Sequence, residues 1–385
     1  MTQNVQVFLE LVRAGLVPVH GEGCMVRESF HEGVDWGEVY LLAEEQSVIG
    51  LVAAGIETVQ GEWLKVHGSS LVPQAVALQF IGQTLQTEQR NKEMNQFIAK
   101  LVGEMRAAGI YTLLVKGQGV AQSYERPLWR TCGDVDFFLN GDNYEKAKEF
   151  LLPRASSVEQ EGIYGKHLGM VIDGWSVELH GRLRCGFSGR ADKVLDEIQN
   201  DTFYGGSVSS WNNDGVQVFK LSKENEVFYV FAHFLGHFYK GGIGLRQICD
   251  WCRLLCAYRS ELDLRKLESL VKRAGLMSEW IVFYCLATKY LGMPEAFNGS
   301  GLMVNGSRYE KKVERIMKFI LEVGNFGHNR DMSFYREGSY LGQKVKSFGR
   351  RIGDMWNHLR IFPLDTLRFF PRIMWNGIVS AVRGE

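Results

Sequence analysis

The sequence predicts an α+β protein, a small mixed-sheet core flanked by N-terminal and C-terminal helical regions. Three observations predict it. Apolar residues recur at helical spacing through roughly the first hundred residues and again after about residue 220. Between these stretches the apolar period shortens, in "IYTLLV" (110–115), "DVDFFL" (134–139) and "GMVIDGWSVELHGRL" (169–183). Helical patterns separate the short runs, as in a mixed α/β layer. The expected boundaries are residues 1–94, 95–220 and 221–385.

In the first region, "VQVFLELVRAGL" and "DWGEVYLLAEEQSVIGLVAAG" carry apolar stripes, the second behind a cap-like aspartate. Pro73 opens a long helix over "QAVALQFIGQTLQTEQRNKEMNQFIAKLVGEMRAAG", which Gly109 closes. In the core, "IYTLLV" reads as a buried strand, "VAQSYE" as a short helix stopped by Pro127, and "NYEKAKEFLL" as a helix after the second strand. Asp173-Gly174 predicts a hairpin turn. After residue 220, "KENEVFYVFAHFLGHFYK", "LRQICDWCRLLCAYR", "DLRKLESLVKRAG" and "SEWIVFYCLATKYLG" each predict a helix. A loop rich in Gly, Asn and Ser follows at about 296–308. The aromatic, basic tail "MWNHLRIFPLDTLRFFPRIMWNGIVSAVRGE" is expected as short pieces broken by two prolines. It is read as packing on its own domain or on a partner chain, rather than on a membrane surface.

Composition narrows the function. Basic and acidic residues balance at 44 each, so no global positive field gathers a long nucleic acid. No run is long and apolar enough to span a membrane. The N-terminus shows no secretory pattern and the seven cysteines form no regular framework, so a cytoplasmic location is expected.

The chemistry gathers around "RTCGDVDFFL" (130–139). In a strand, Asp134 and Asp136 share one face, while Val135, Phe137 and Leu139 take the other. Two adjacent carboxylates repel, so either one holds a proton or a cation lies between them. Oxygen ligands suit Mg²⁺ or Mn²⁺. Glu178, on the neighbouring strand "WSVELH", supplies a third acid on the open face with Ser176 and His180. Three acids on adjacent strands can hold two metal ions for phosphoryl or nucleotidyl transfer. "VKGQGVAQSYE" offers a phosphate cradle in which Lys116, Gly117, Gln118 and Gly119 form the turn into a helix. Ser123 and Arg130 are further phosphate candidates, and Arg130 can alternatively tie its loop to an acid. His180 is a general base for an incoming hydroxyl or a group that orients a carboxylate.

These residues, "LLVKGQGVAQSYERPLWRTCGDVDFFL" followed by "VELHGRL", resemble the nucleotidyltransferase superfamily that shares the fold of DNA polymerase β. Within it they resemble the bacterial uncharacterised nucleotidyltransferase family. "GIGLRQICDW" fits the same resemblance, which covers roughly residues 95–260. The resemblance implies a nucleotidyltransferase core, with Asp134 and Asp136 as metal ligands, Glu178 as third carboxylate and Gly117 in the nucleotide-binding turn. Where the superfamily turn reads Gly-Gly or Gly-Ser, this chain has Gly117-Gln118-Gly119, without the serine that touches phosphate.

In "HFLGHFYKGGIGLRQICDW", His233 and His237 share a helical face and read as core or substrate-contact residues. His237, Lys240, Arg246 and Asp250 are cleft or acceptor candidates, with an Arg246–Asp250 ion pair along one helix as the simpler alternative. Cys249, Cys252 and Cys256 are spaced as one buried helical face rather than a metal cluster. The expected activity is Mg²⁺-dependent transfer of a nucleoside monophosphate from a nucleoside triphosphate to an unknown hydroxyl or phosphate acceptor, a small molecule or protein. The alternative is a catalytically reduced nucleotide-binding or assembly module. Self-association through the tail is a further expectation.

Overall fold

The computed structural model describes residues 1–17, 33–67, 70–162, 166–294, 306–325, 349 and 352–383. Four helices lead in: α1 (Gln3–Leu16), α2 (Trp36–Glu45), α3 (Ile49–His67) and α4 (Gln74–Ala107). The stripe at 35–55, read from sequence as one helix, is two. The chain turns at Gln46–Val48, where Ser47 takes a positive φ of 56°. α4 matches its expected span, with Pro73 before its first turn and Gly109 at φ +74° after its last. The helices α1 and α3 cross closely. A Cβ on Gly15 would lie 2.0 Å from the Leu51 carbonyl oxygen, and one on Gly55 2.0 Å from that of Leu11.

The core alternates strands and helices: β1 (Leu113–Val115), α5 (Gly117–Ala121), β2 (Asp134–Phe138), α6 (Gly141–Leu151), β3 (Ser157–Val158), β4 (His167–Ile172), β5 (Trp175–His180), α7 (Gly189–Tyr204), β6 (Val208–Asn213) and β7 (Val216–Leu221). They build one seven-stranded mixed sheet in the order β3-β4-β5-β2-β1-β7-β6. β1 is shorter than the apolar run that predicted it. α5 ends before the expected 120–125 stretch is complete, and Pro127 starts a 3₁₀ turn, Pro127–Trp129. Asp173 and Gly174 both have positive φ, 50° and 82°, and join β4 to β5 as the expected tight hairpin. A second turn of the same kind, Asp214-Gly215 at 51° and 82°, joins β6 to β7.

Each sheet face has its own cover. Val135, Phe137, Val177 and Leu179 pack with Phe97, Leu101 and Met105 of α4 and Tyr144 and Leu151 of α6. Phe138, Leu113 and Val115 point the other way and join the larger core of the helical half. Asp134, Asp136 and Glu178 alternate with the first set along their strands and so lie on this second face.

The second helical half holds α8 (Lys223–Lys240), α9 (Leu245–Ala257), α10 (Leu264–Ala274), α11 (Met277–Leu291) and α12 (Glu310–Val323). The first four match the expected helices. Of the loop expected near 296–308, residues 296–305 lie outside the described residues, and Gly306–Tyr309 form a 3₁₀ turn. The tail departs from expectation. After a helical stretch at 352–359, Pro363–Arg383 is one helix with Pro371 inside it, not short broken pieces. It packs on its own chain. Phe369 meets Phe187 and Tyr239, Arg372 pairs with Asp192, and Asn376 donates to the Gly186 carbonyl. Leu364, Leu367 and Trp375 on its other face are exposed. No helix among the described residues is long and apolar enough to cross a membrane.

Candidate active site

Register places the acids. β2 and β5 run parallel, with Asp134 beside Ser176, Asp136 beside Glu178 and Phe138 beside His180. One ligand oxygen from each of Asp134, Asp136 and Glu178 lies within 4.8 Å of the others. Burial raises the Asp134 pKa, and the neighbouring Asp136 charge adds to the rise. Asp136 is 1% exposed. Its Oδ1 accepts from Lys116 Nζ at 2.6 Å and lies 2.8 Å from His180 Nε2. His180 Nε2 is also 3.4 Å from Glu178 Oε2, and His167 Nε2 is 2.9 Å from that same oxygen.

Burial opposes the Lys116 charge, but Asp136 more than offsets it and raises the lysine pKa. Burial alone would raise the Glu178 pKa; hydrogen bonds from His167 and His180 outweigh it and leave the carboxyl well below its usual range. For His180, burial and Lys116 lower the pKa, and the bonds to Asp136 and Glu178 reverse the sign. A cation thus already pairs with Asp136, the middle acid. Lys116 reaches the carboxylate that sequence reasoning gave to a metal, rather than pointing at an empty phosphate position.

The glycine turn lies beneath the acids. Lys116 has φ 59° and Gly117 φ 44°. A Cβ on Gly117 would stand 3.2 Å from both the Asp134 carbonyl oxygen and Cys132 Sγ, a tight fit at a positive φ that favours glycine. Gln118 is buried and donates to Asn91 Oδ1 at 2.8 Å; Asn91 in turn donates to the Leu128 and Arg130 carbonyls. The Gly119 carbonyl accepts from buried Lys220 at 2.7 Å. The Ser123 hydroxyl turns inward to the Val120 carbonyl and is buried, which is no position for a phosphate contact.

Arg130 takes the second of its two expected roles. It grips Asp250 with two bonds of 2.7 Å, and Tyr124 donates to the same carboxylate at 2.7 Å. Both ion-pair partners are buried, so neither Arg130 nor Asp250 offers an open group to phosphate or acceptor. The Arg246–Asp250 pair expected along α9 is replaced by this tie across the fold. Arg246 instead donates to the Thr131 carbonyl at 2.7 Å. Lys240 is the last residue of α8 and donates to the Cys185 carbonyl.

α8 roofs the acids with a row of rings. Tyr229, His233 and His237 recur every four residues, with His233 and His237 Nε2 atoms 3.1 Å apart. Burial first and Lys116 second depress both histidines, His237 to about 3. Cys249 and Cys252 are buried on α9 and burial raises both thiols; among the described residues, no metal-ligating group includes them. A cleft of about 240 Å³ lies between α1, α3 and the 124–131 loop, lined by Arg126, Arg130, Arg246 and Arg253 with Trp129 and Glu125; none of the three acids lines it.

A family model described as an uncharacterised nucleotidyltransferase matches residues 32–292. The chain belongs to that family. No curated protein and no solved structure matches it. The match to the nucleotidyltransferase family runs beyond 95–260 at both ends, taking in α2, α3 and α11 as well as the sheet. Membership in this polymerase-β-like family and the clustered acids together support nucleotidyl transfer as the general activity.

Four positions here escaped the sequence reading. His167 was legible in principle, because the Asp173-Gly174 turn sets the β4/β5 register and puts residue 167 opposite 180. Tyr229 lies one helical step before His233. Lys220 and Tyr124 carry no signal, since a lone lysine in a strand and a lone tyrosine in a short helix do not announce buried partners.

Proposed function

We propose that this protein transfers a nucleoside monophosphate from a nucleoside triphosphate to a hydroxyl or phosphate acceptor, releasing pyrophosphate. The observation that carries the reading is the parallel pairing of Asp136 with Glu178, which brings three carboxylates within 4.8 Å on the face roofed by α8. The donor set fits a hard divalent cation, being all oxygen, and the Lys116 ammonium on Asp136 gives way when the ion enters. Asp134, Asp136 and Glu178 would hold Mg²⁺ or Mn²⁺, which when bound supplies a lowered nucleophile pKa and charge neutralisation at the phosphates.

The chain's own residues do the rest. Lys116, displaced from Asp136, swings its charge onto a phosphate from the Gly117–Gly119 turn. Lys220 of β7 and Asn91 of α4 hold that turn, so the backbone stays fixed while the lysine moves. His180, its Nε2 between Asp136 and Glu178, holds the two carboxylates in orientation. Arg246, bonded to the Thr131 carbonyl rather than to a carboxylate, favours an acceptor bearing negative charge, a small molecule or a protein group, over a neutral one.

The test follows the bond that breaks. Wild type would be incubated with Mg²⁺, nucleoside triphosphate labelled at the α-phosphate and a metabolite and peptide extract. Label should pass to an acceptor with release of pyrophosphate. Release of inorganic phosphate from the γ-position, with the label left on nucleoside diphosphate, would contradict the proposal. A second reading, a catalytically reduced binding module, is favoured by the Lys116–Asp136 pair, which neutralises the acid without metal. Nucleotide binding with no transfer in the same assay would support it.

A further inference from the structure

We propose that His167, Glu178 and His180 form a second metal site whose nitrogen-rich donor set takes a first-row transition-metal ion, Zn²⁺ above all, in preference to Mg²⁺. The backbone sets the group. β4 and β5 pair antiparallel with His167 directly opposite His180, and Glu178 lies two residues earlier on the same strand face as His180. One ligand atom from each lies within 4.8 Å of the others.

His167 Nε2 lies 2.9 Å from Glu178 Oε2 and His180 Nε2 3.4 Å from the same oxygen, while His180 Nε2 is 2.8 Å from Asp136 Oδ1, the bond an entering ion would replace. Two ligand atoms held about 2.0–2.1 Å from a tetrahedral ion stand about 3.3 Å apart. The two N–O spacings bracket that value and the third pair lies within 4.8 Å, so the three donors can close on one ion once His180 turns from Asp136. Two neutral imidazoles and a carboxylate suit Zn²⁺ and its neighbours, whereas Mg²⁺ takes oxygen. His167 is 36% exposed and His180 13% exposed. The group therefore opens toward solvent on the β4 side, leaving a position for water or a reacting oxygen, as in catalytic rather than structural zinc sites.

Glu178 has two carboxylate oxygens and belongs to both this group and the three-acid group. The two ions would share it as a bridging ligand. The site rests on donor geometry, not on the transfer reaction proposed above, and the two are separable by experiment.

The full chain would be stripped with chelator and titrated with Co²⁺, following its visible d–d absorption. Zn²⁺ affinity would be read by competition with a chromophoric chelator, without nucleotide. Wild type should take up one equivalent of Co²⁺ with a spectrum showing nitrogen ligation. Zn²⁺ affinity should fall at least about tenfold in His167→Ala and in the size-conserving His167→Gln. It should stay within about threefold of wild type in Asp134→Asn. Circular dichroism checks that each variant is folded. The proposal is overturned by no stoichiometric uptake in wild type, by unchanged affinity in both His167 variants, or by an equal loss in Asp134→Asn. Failure of the transferase reading would leave the Co²⁺ spectrum intact.

Discussion

Asp136 is the pivot of the site at the level of single residues. It is buried, and its one oxygen Oδ1 meets both Lys116 and His180. A buried carboxylate is tolerated when it is paired and hydrogen-bonded, and these two partners supply that. The glycine beneath it is as constrained. Gly117→Ala puts a Cβ 3.2 Å from the Asp134 carbonyl and Cys132 Sγ, at a φ of +44° that side chains resist. The expected cost is about 1–2 kcal/mol in unfolding free energy by urea denaturation. Because the neighbour pushed is the backbone of Asp134, Mg²⁺-dependent nucleotide binding should weaken as well. A variant with wild-type stability and wild-type binding would show that the turn has room to spare.

Elements are tied together around the acids by one buried cross-fold pair. Arg130 lies on the loop entering β2 and Asp250 on α9, and Tyr124, in the turn after α5, joins them. Burial would raise the Asp250 pKa, and Arg130 overrides that to hold it low. Arg130→Met should cost about 3–5 kcal/mol by leaving a buried carboxylate without its cation. The double variant Arg130→Met/Asp250→Leu should recover most of the loss, because both charges leave together. A single variant that unfolds within 1 kcal/mol of wild type would place the pair in solvent. Much of this level was legible in sequence. Alternation gave the Asp134/Asp136 face, the Asp-Gly turn gave the β4–β5 hairpin, and helical stripes marked α8 to α11. What escaped depends on distant chain. The Arg130–Asp250 tie spans 120 residues, and local spacing favoured Arg246 as the partner instead. The β6–β7 hairpin was legible from "NNDGVQV" yet passed unread. Ser47 breaks the second stripe because α2 and α3 pack in different directions, which periodicity alone does not reveal.

At the scale of the molecule, helices before and after the sheet converge on the site. Gly50 of α3 sits so close to the Trp129 carbonyl, five residues before Asp134, that a Cβ would stand 2.1 Å away. Arg253 of α9 donates to the Leu16 carbonyl at the end of α1 and to the Ser123 carbonyl after α5. The C-terminal helix is joined to the body near Glu279, which is fully buried on α11 and accepts from Tyr239 at 2.9 Å. Burial, then the charge of Asp365 on the C-terminal helix, raises its pKa from 4.5 to about 8. Below pH 4.5 the carboxyl is protonated folded or unfolded and costs nothing. Between 4.5 and about 8 only the unfolded chain releases the proton, so stability falls as pH rises through that window. Glu279→Gln should remove this slope. Thermal melts from pH 5 to pH 8 should show wild type losing on the order of a few kcal/mol relative to the variant. Parallel pH profiles would mean that Glu279 is ionised in the folded protein.

The central claim is that the three carboxylates hold a metal–nucleotide complex. The most direct measurement is a thermal-shift titration with each of the four nucleoside triphosphates, with and without Mg²⁺, on wild type and on Asp134→Asn/Asp136→Asn. The account predicts stabilisation by at least one triphosphate that requires Mg²⁺ and vanishes in the folded double variant. No stabilisation of wild type by any triphosphate, or a stabilisation that persists without metal and in the double variant, would contradict it.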